Sequence, residues 1–106
     1  MRIGPLALLL IGLSASSATA QDTASIARGR VYAERICAEC HAVAPGQRSP
    51  RPDAAGFAVI ANTPGMTAMA LAIWLQTPHR EMPHIVVAPQ DRDDVINYIR
   101  SLKAER

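Results

Sequence analysis

The chain is 106 residues long, with 49% hydrophobic, 4% aromatic and 19% charged residues and a formal net charge of +2. That length accommodates one domain and excludes a two-domain enzyme. A charge so close to neutral lacks the basic signature of a nucleic-acid binder, so nucleic acid is not expected as a partner.

The first twenty residues read as a targeting signal. Met1 and Arg2 give a short positive start, Leu6 to Leu13 is an apolar run broken only by Gly12, and Ala18-Thr19-Ala20 places small residues before Gln21. This is the pattern of a secretory signal peptide cut after Ala20. A membrane anchor is the competing reading, but it needs ~20 predominantly apolar residues, and the second half of this stretch is Ser, Ala and Thr. Residues 1–20 are therefore expected to be removed, with 21–106 forming a single periplasmic domain not stably inserted in a membrane. What remains holds many alanines and few large apolar side chains. A core so small usually needs a disulfide, a metal or a large cofactor.

From Asp22 to His41 the spacing predicts a helix, capped by Asp22 or Ser25, with Ile26, Ala33 and Cys40 near one face. Gly29 inside it costs ~1 kcal/mol relative to Ala, so a close approach is expected there. The helix ends on Cys37-Ala38-Glu39-Cys40-His41, and Cys-x-x-Cys-His is the attachment signature of c-type haem. Each thiol adds to a haem vinyl group, and the imidazole that follows is placed to bind iron. A thioredoxin-like pair would need a βαβ context, and the flanks show no strand alternation. A structural zinc site would need four ligands, and there is no second cysteine pair. A plain disulfide suits a secreted protein, yet it would leave the small core unexplained. Cys37 and Cys40 are thus expected to carry one covalent haem, with His41 as an iron ligand.

Residues 42–55 contain Pro45, Gly46, Ser49, Pro50 and Pro52 and read as loop. Arg48 and Arg51 are placed either to neutralise haem propionates or to be solvated. Gly56 to Asn62 reads as a short helix with Phe57 and Ile60 inward, followed by a Pro64-Gly65 turn. Thr67 caps a helix reaching about Gln76 and stopped by Pro78. Its apolar run (Met69, Leu71, Ile73, Trp74, Leu75) suits a helix lying against a cofactor, and the indole N–H of Trp74 would then need a partner, with a propionate as one candidate. Residues 77–88 read as loop. Pro89 opens the last helix at the position that tolerates it best. Asp91, Asp93 and Asp94 at its start and Arg100, Lys103 and Arg106 at its end complement the helix dipole, and Val95, Tyr98 or Ile99 and Leu102 form its buried stripe.

With these residues in hand, the chain from about Ala24 to Lys103 resembles the small bacterial class I cytochromes c. The resemblance rests on the order of four elements: Gly29 and Tyr32, the Cys37 to His41 motif, Met82-Pro83, and the ending Asp94-Val95-Ile96-Asn97-Tyr98-Ile99. It implies an all-α fold in which the first and last helices cross at Gly29 and Tyr98 and shorter helices and loops wrap one haem. It also implies a proline carbonyl, of Pro50 or Pro52, supporting His41, and Met82 as the sulfur ligand on the opposite haem face. Met66 and Met69 lack such a context, and Met69 reads as core filler. His79 and His84 are the rivals of Met82 in its own loop. His84 also departs from the asparagine often found two residues after the ligand.

The function implied is that of a non-enzymatic one-electron carrier, expected to be a monomer. It would be reduced by an upstream dehydrogenase or bc-type complex and oxidised by a terminal oxidase or reductase. The alternatives are a five-coordinate haem protein that reacts with gases or peroxide, a dedicated haem subunit of one dehydrogenase, and a haem-free thiol oxidoreductase using Cys37 and Cys40. With Lys103 as the one lysine, partner contacts are expected to be largely apolar around the haem edge, with modest salt dependence.

Overall fold

The structure, a computed structural model, describes residues 16–77, 82 and 86–104. His79 and His84 lie outside the described residues, as do the prolines on either side of Met82. The described residues form four α-helices, α1 Ser16–Ile36, α2 Phe57–Ala61, α3 Ala68–Gln76 and α4 Pro89–Ser101, with a 3-10 turn at Cys37–Glu39 after α1. The fold is all-α, as expected, with no strand among the described residues. None of the described helices is long and apolar enough to cross a membrane.

The expected boundaries hold best where capping chemistry is strong. The Thr67 side chain accepts a hydrogen bond from Ala70 N at 3.1 Å and starts α3. Pro89 sits in the first turn of α4, where its missing N–H costs nothing. Gly46 and Gly65 adopt φ of 77° and 78°, the left-handed conformation that a Pro-Gly turn demands. The start of α1 differs from expectation. The chain is already helical at Ser16, the first described residue, so Asp22 and Ser25 are interior, and the Ser25 hydroxyl is used across the helix interface.

The principal contact between elements is the crossing of α1 with α4, on which α2 and α3 also pack. It depends on Gly29. A Cβ built there would stand 2.0 Å from the carbonyl oxygen of Asp94 and 2.9 Å from the Cβ of Tyr98. Tyr98 is the expected neighbour, and the backbone of Asp94 comes closer still. Beside this contact the Asp94 carboxylate is buried and accepts from Ser25 Oγ (2.6 Å), Arg28 Nε (2.9 Å) and Arg28 Nη2 (3.2 Å). Asn97 Nδ2 donates to Ser25 Oγ at 2.9 Å. The core beneath comprises Ala33, Val43, Phe57, Ala61, Leu71, Val95, Ile96, Tyr98 and Ile99.

Met69 does not fill the core. It is 73% exposed, as Ile73 is at 59%, because the inward side of α3 is taken by Leu71 with Ala68, Ala72 and Leu75 at its margins.

Candidate haem site

The helix that carries the two cysteines tightens just where they begin. At Cys37 the α-helix gives way to a 3-10 turn, and the Cys37 carbonyl accepts from both Cys40 N (3.1 Å) and His41 N (2.9 Å). Both thiols and the imidazole are thereby held on one short, closed turn. The thiols are unbridged. Burial pushes the Cys37 thiol up to about 11, opposite to the lowered value that activates a redox thiol pair. Tyr32 lies close enough to Cys37 that the thiol, after burial, helps hold its phenol above the usual range.

His41 is fixed from two sides. Its Nδ1 lies 2.7 Å from the carbonyl oxygen of Ala55, and because a carbonyl only accepts, Nδ1 carries the proton. In the neutral ring this leaves Nε2 with a free lone pair, the arrangement seen at metal-binding histidines. Its ring packs against Phe57 with centroids 5.5 Å apart and planes tilted by 48°, and Phe57 packs against Tyr98 at 6.4 Å. The Tyr98 hydroxyl donates to the carbonyl of Val43, two residues past His41. The imidazole is thus braced, through two rings, on the helix that crosses α1.

The supporting carbonyl corrects an expectation, since it belongs neither to Pro50 nor to Pro52. Arg51 N bonds the Cys40 carbonyl (3.2 Å) and Ala54 N bonds the Arg51 carbonyl (3.0 Å), so the loop turns around Arg51 and leaves both prolines exposed. The chain returns through Phe57 N, which donates to Ala42 O at 2.8 Å, and that docking brings the carbonyl two residues earlier against Nδ1. Ala42 N donates to Ser49 Oγ (2.9 Å) and closes the loop. Arg51 pairs with Asp53 at 3.0 Å. Arg48 and Pro52 line a shallow concavity beside Ala55.

On the remaining elements, Met82 is half-buried. Trp74 is 59% exposed on α3, whereas Leu71 of the same helix is buried. The buried Asp94 cluster is not legible in the sequence, where Asp94, although part of the ending that carries the family resemblance, reads as one more acidic residue at a helix start.

Paired reduced thiols on a closed turn, followed at once by an imidazole whose second nitrogen is committed to a backbone acceptor, define a small helical protein fitted to hold a haem covalently. Comparison with known proteins agrees. The cytochrome c family model matches residues 26–103. Cytochrome c-552 of Bradyrhizobium diazoefficiens (strain USDA 110) is 36% identical over 96 residues, covering 91% of this chain and 89% of that protein. No solved structure matches. The chain belongs to the cytochrome c family, a family of haem-based electron carriers that are typically not enzymes, and its cofactor is a covalently bound c-type haem.

Proposed function

We propose that this protein is a periplasmic one-electron carrier, released by cleavage after Ala20, in a respiratory or dehydrogenase-linked chain. When bound, the haem supplies a one-electron iron couple. Cys37 and Cys40 would hold it by adding their S–H bonds across its two vinyl groups, with nothing lost. His41 Nε2, oriented by Ala55 and Phe57, and the Met82 sulfur would together hold the iron. Two protein ligands leave no position for substrate, and the soft thioether favours Fe(II), which raises the potential.

The observation that supports this reading is the Nδ1 contact of His41 with the Ala55 carbonyl, which leaves Nε2 as the nitrogen available to a metal. Donor and acceptor proteins, an upstream dehydrogenase or bc-type complex and a downstream oxidase or reductase, would dock at the haem edge near the cysteines. Met82→Ala tests the assignment. It should abolish the far-red sulfur-to-iron band of the oxidised protein, lower the potential and open the iron to carbon monoxide, while the haem stays attached through Cys37 and Cys40. An unchanged spectrum and potential in that variant, with both altered in His84→Ala, would mean bis-histidine ligation instead.

A further inference from the structure

From Ala54 to Thr77 the chain has no aspartate, glutamate, lysine or arginine. The stretch contains α2 and α3, so these two helices are uncharged, whereas α1 and α4 carry charges along their lengths. On α3 the exposed residues include three large apolar ones, Met69, Ile73 and Trp74. Successive residues lie ~100° apart around a helix. Ala68, Leu71, Ala72 and Leu75 fill the arc that meets the core. Met69 and Ile73, four residues apart, project together away from it as a short ridge, beside the exposed Gln76. Trp74 lies on a different flank, ~100° round from Ile73. A flat cofactor meets one side of a helix, so a haem against Trp74 leaves Met69 and Ile73 open. Single exposed apolar residues are ordinary, but a ridge of them on an uncharged helix marks a contact surface.

Charge and area indicate which contact. Two copies meeting about a two-fold axis set one surface against itself, so a charge near the axis faces its own sign. The α3 ridge carries no charge and avoids that cost, which α1 and α4 would incur. A helix of nine residues is ~14 Å long and ~10–12 Å wide. One face of it offers a few hundred Å², below the ~800 Å² that each partner gives to a stable interface and in the range of transient electron-transfer encounters. The ridge also lies close to the cofactor. Leu71, on the inward side of the same helix, belongs to the core against which Cys37 packs, and the ridge is about one helix width (~10 Å) away from it.

We propose that the Met69–Ile73 ridge of α3 is the surface through which two copies of this protein, one reduced and one oxidised, meet transiently and exchange an electron. One iron goes from Fe(II) to Fe(III) as the other does the reverse, so no further reactant is consumed. The inference rests on the electron-carrier reading above.

The test uses the haem-loaded protein, in which Cys37 and Cys40 are consumed as thioethers and an added cysteine is the free thiol. Under mild oxidation Met69→Cys and Ile73→Cys should cross-link into dimers at least ~10 times faster than Val31→Cys, an exposed position on the charged helix α1. Electron self-exchange, read from the broadening of NMR lines in half-reduced samples, should fall at least ~10-fold in Ile73→Asp, where two like charges would meet, and should recover in part as salt screens them. Should Ile73→Asp fail to fold, Met69→Asp, at the more exposed position, carries the same expectations. Cross-linking at Val31 as fast as on the ridge would overturn the proposal. So would thiols at 69 and 73 that are closed to reagents, which would mean that the haem or the chain itself covers the ridge. Self-exchange unchanged in the Asp variants, with slower oxidation by membranes of the native cell, would assign the ridge to another redox protein and overturn it as well. If the purified protein does not cycle reversibly between its oxidised and reduced states, the carrier reading falls and this inference with it. If it cycles and the ridge variants match the unsubstituted protein, the inference alone falls.

Discussion

Gly29→Ala isolates the closest contact in the fold. The added methyl carbon would stand 2.0 Å from the Asp94 carbonyl oxygen, where ordinary contact begins near 3.4 Å. Neither partner can turn aside, since one is a helix backbone and the other a Cβ fixed to it. The helices must separate by about an ångström, and a gap of 0.5–1 Å already forfeits a quarter to a half of each dispersion contact. The hydrogen bonds from Ser25 and Arg28 to Asp94 would lengthen with it. Overpacking of this kind costs up to ~3 kcal/mol or more, while Ala recovers ~1 kcal/mol of helix propensity over Gly. The net is ~2 kcal/mol of destabilisation, or a Tm lowered by roughly 8–16 °C for a domain of this size. Thermal unfolding of the haem-loaded protein, followed by far-ultraviolet circular dichroism, measures it. A Tm equal to or above that of the unsubstituted protein would show that propensity outweighs the crossing and refute the reasoning.

Three further outcomes follow from the same geometry. Hydrogen bonds from Arg28 hold the Asp94 carboxyl below its usual range, against the opposing effect of burial and with help from Ser25. Its stabilisation is therefore present above the unfolded value of about 3.9 and is lost as pH falls through the lower folded value. Asp94→Asn should be the less stable protein at pH 7, with the difference shrinking in acid, which Tm measured from pH 7 down to pH 2 will check. Tyr98→Phe leaves the buried Val43 carbonyl without its donor and should cost ~1–3 kcal/mol in urea denaturation, with the haem spectrum nearly unchanged. Electron-transfer rates with a partner should change only a few-fold between low and high ionic strength, because a net charge of +2 with a single lysine leaves little long-range attraction for salt to screen. A steep fall would show a charged docking face.

Much of this was legible in the sequence because it depends on local chemistry. Thr67, Pro89 and the two Pro-Gly turns act within three or four residues, and each performs as its covalent structure dictates. Cys37, Cys40 and His41 are equally local, since their spacing on one turn is itself the site. Gly29 could be read as a close approach because an interior glycine is costly unless something packs on it. What it meets was only partly readable: Tyr98 is a side chain with a name, whereas the Asp94 carbonyl is backbone and looks the same at every residue.

The same distinction explains two of the readings that changed. Any residue of the loop offers a carbonyl to His41, so residue type cannot identify the one that is used. The choice is made by where Phe57 docks, through its N–H on Ala42 and its ring between His41 and Tyr98. A proline at the supporting position would stiffen that carbonyl but is not required for it, and here an alanine serves. Asp94 is the converse case. A carboxylate at a helix start has an adequate local explanation in the dipole, and that explanation conceals the tertiary one, because Ser25 and Arg28 stand nearly seventy residues away. Asp91, in the first turn of the same helix, is only partly buried, while Asp94, three residues on, is almost wholly so. The residue that binds the two long helices together is the one turned toward Gly29, and only the crossing determines which of the three acidic residues that is.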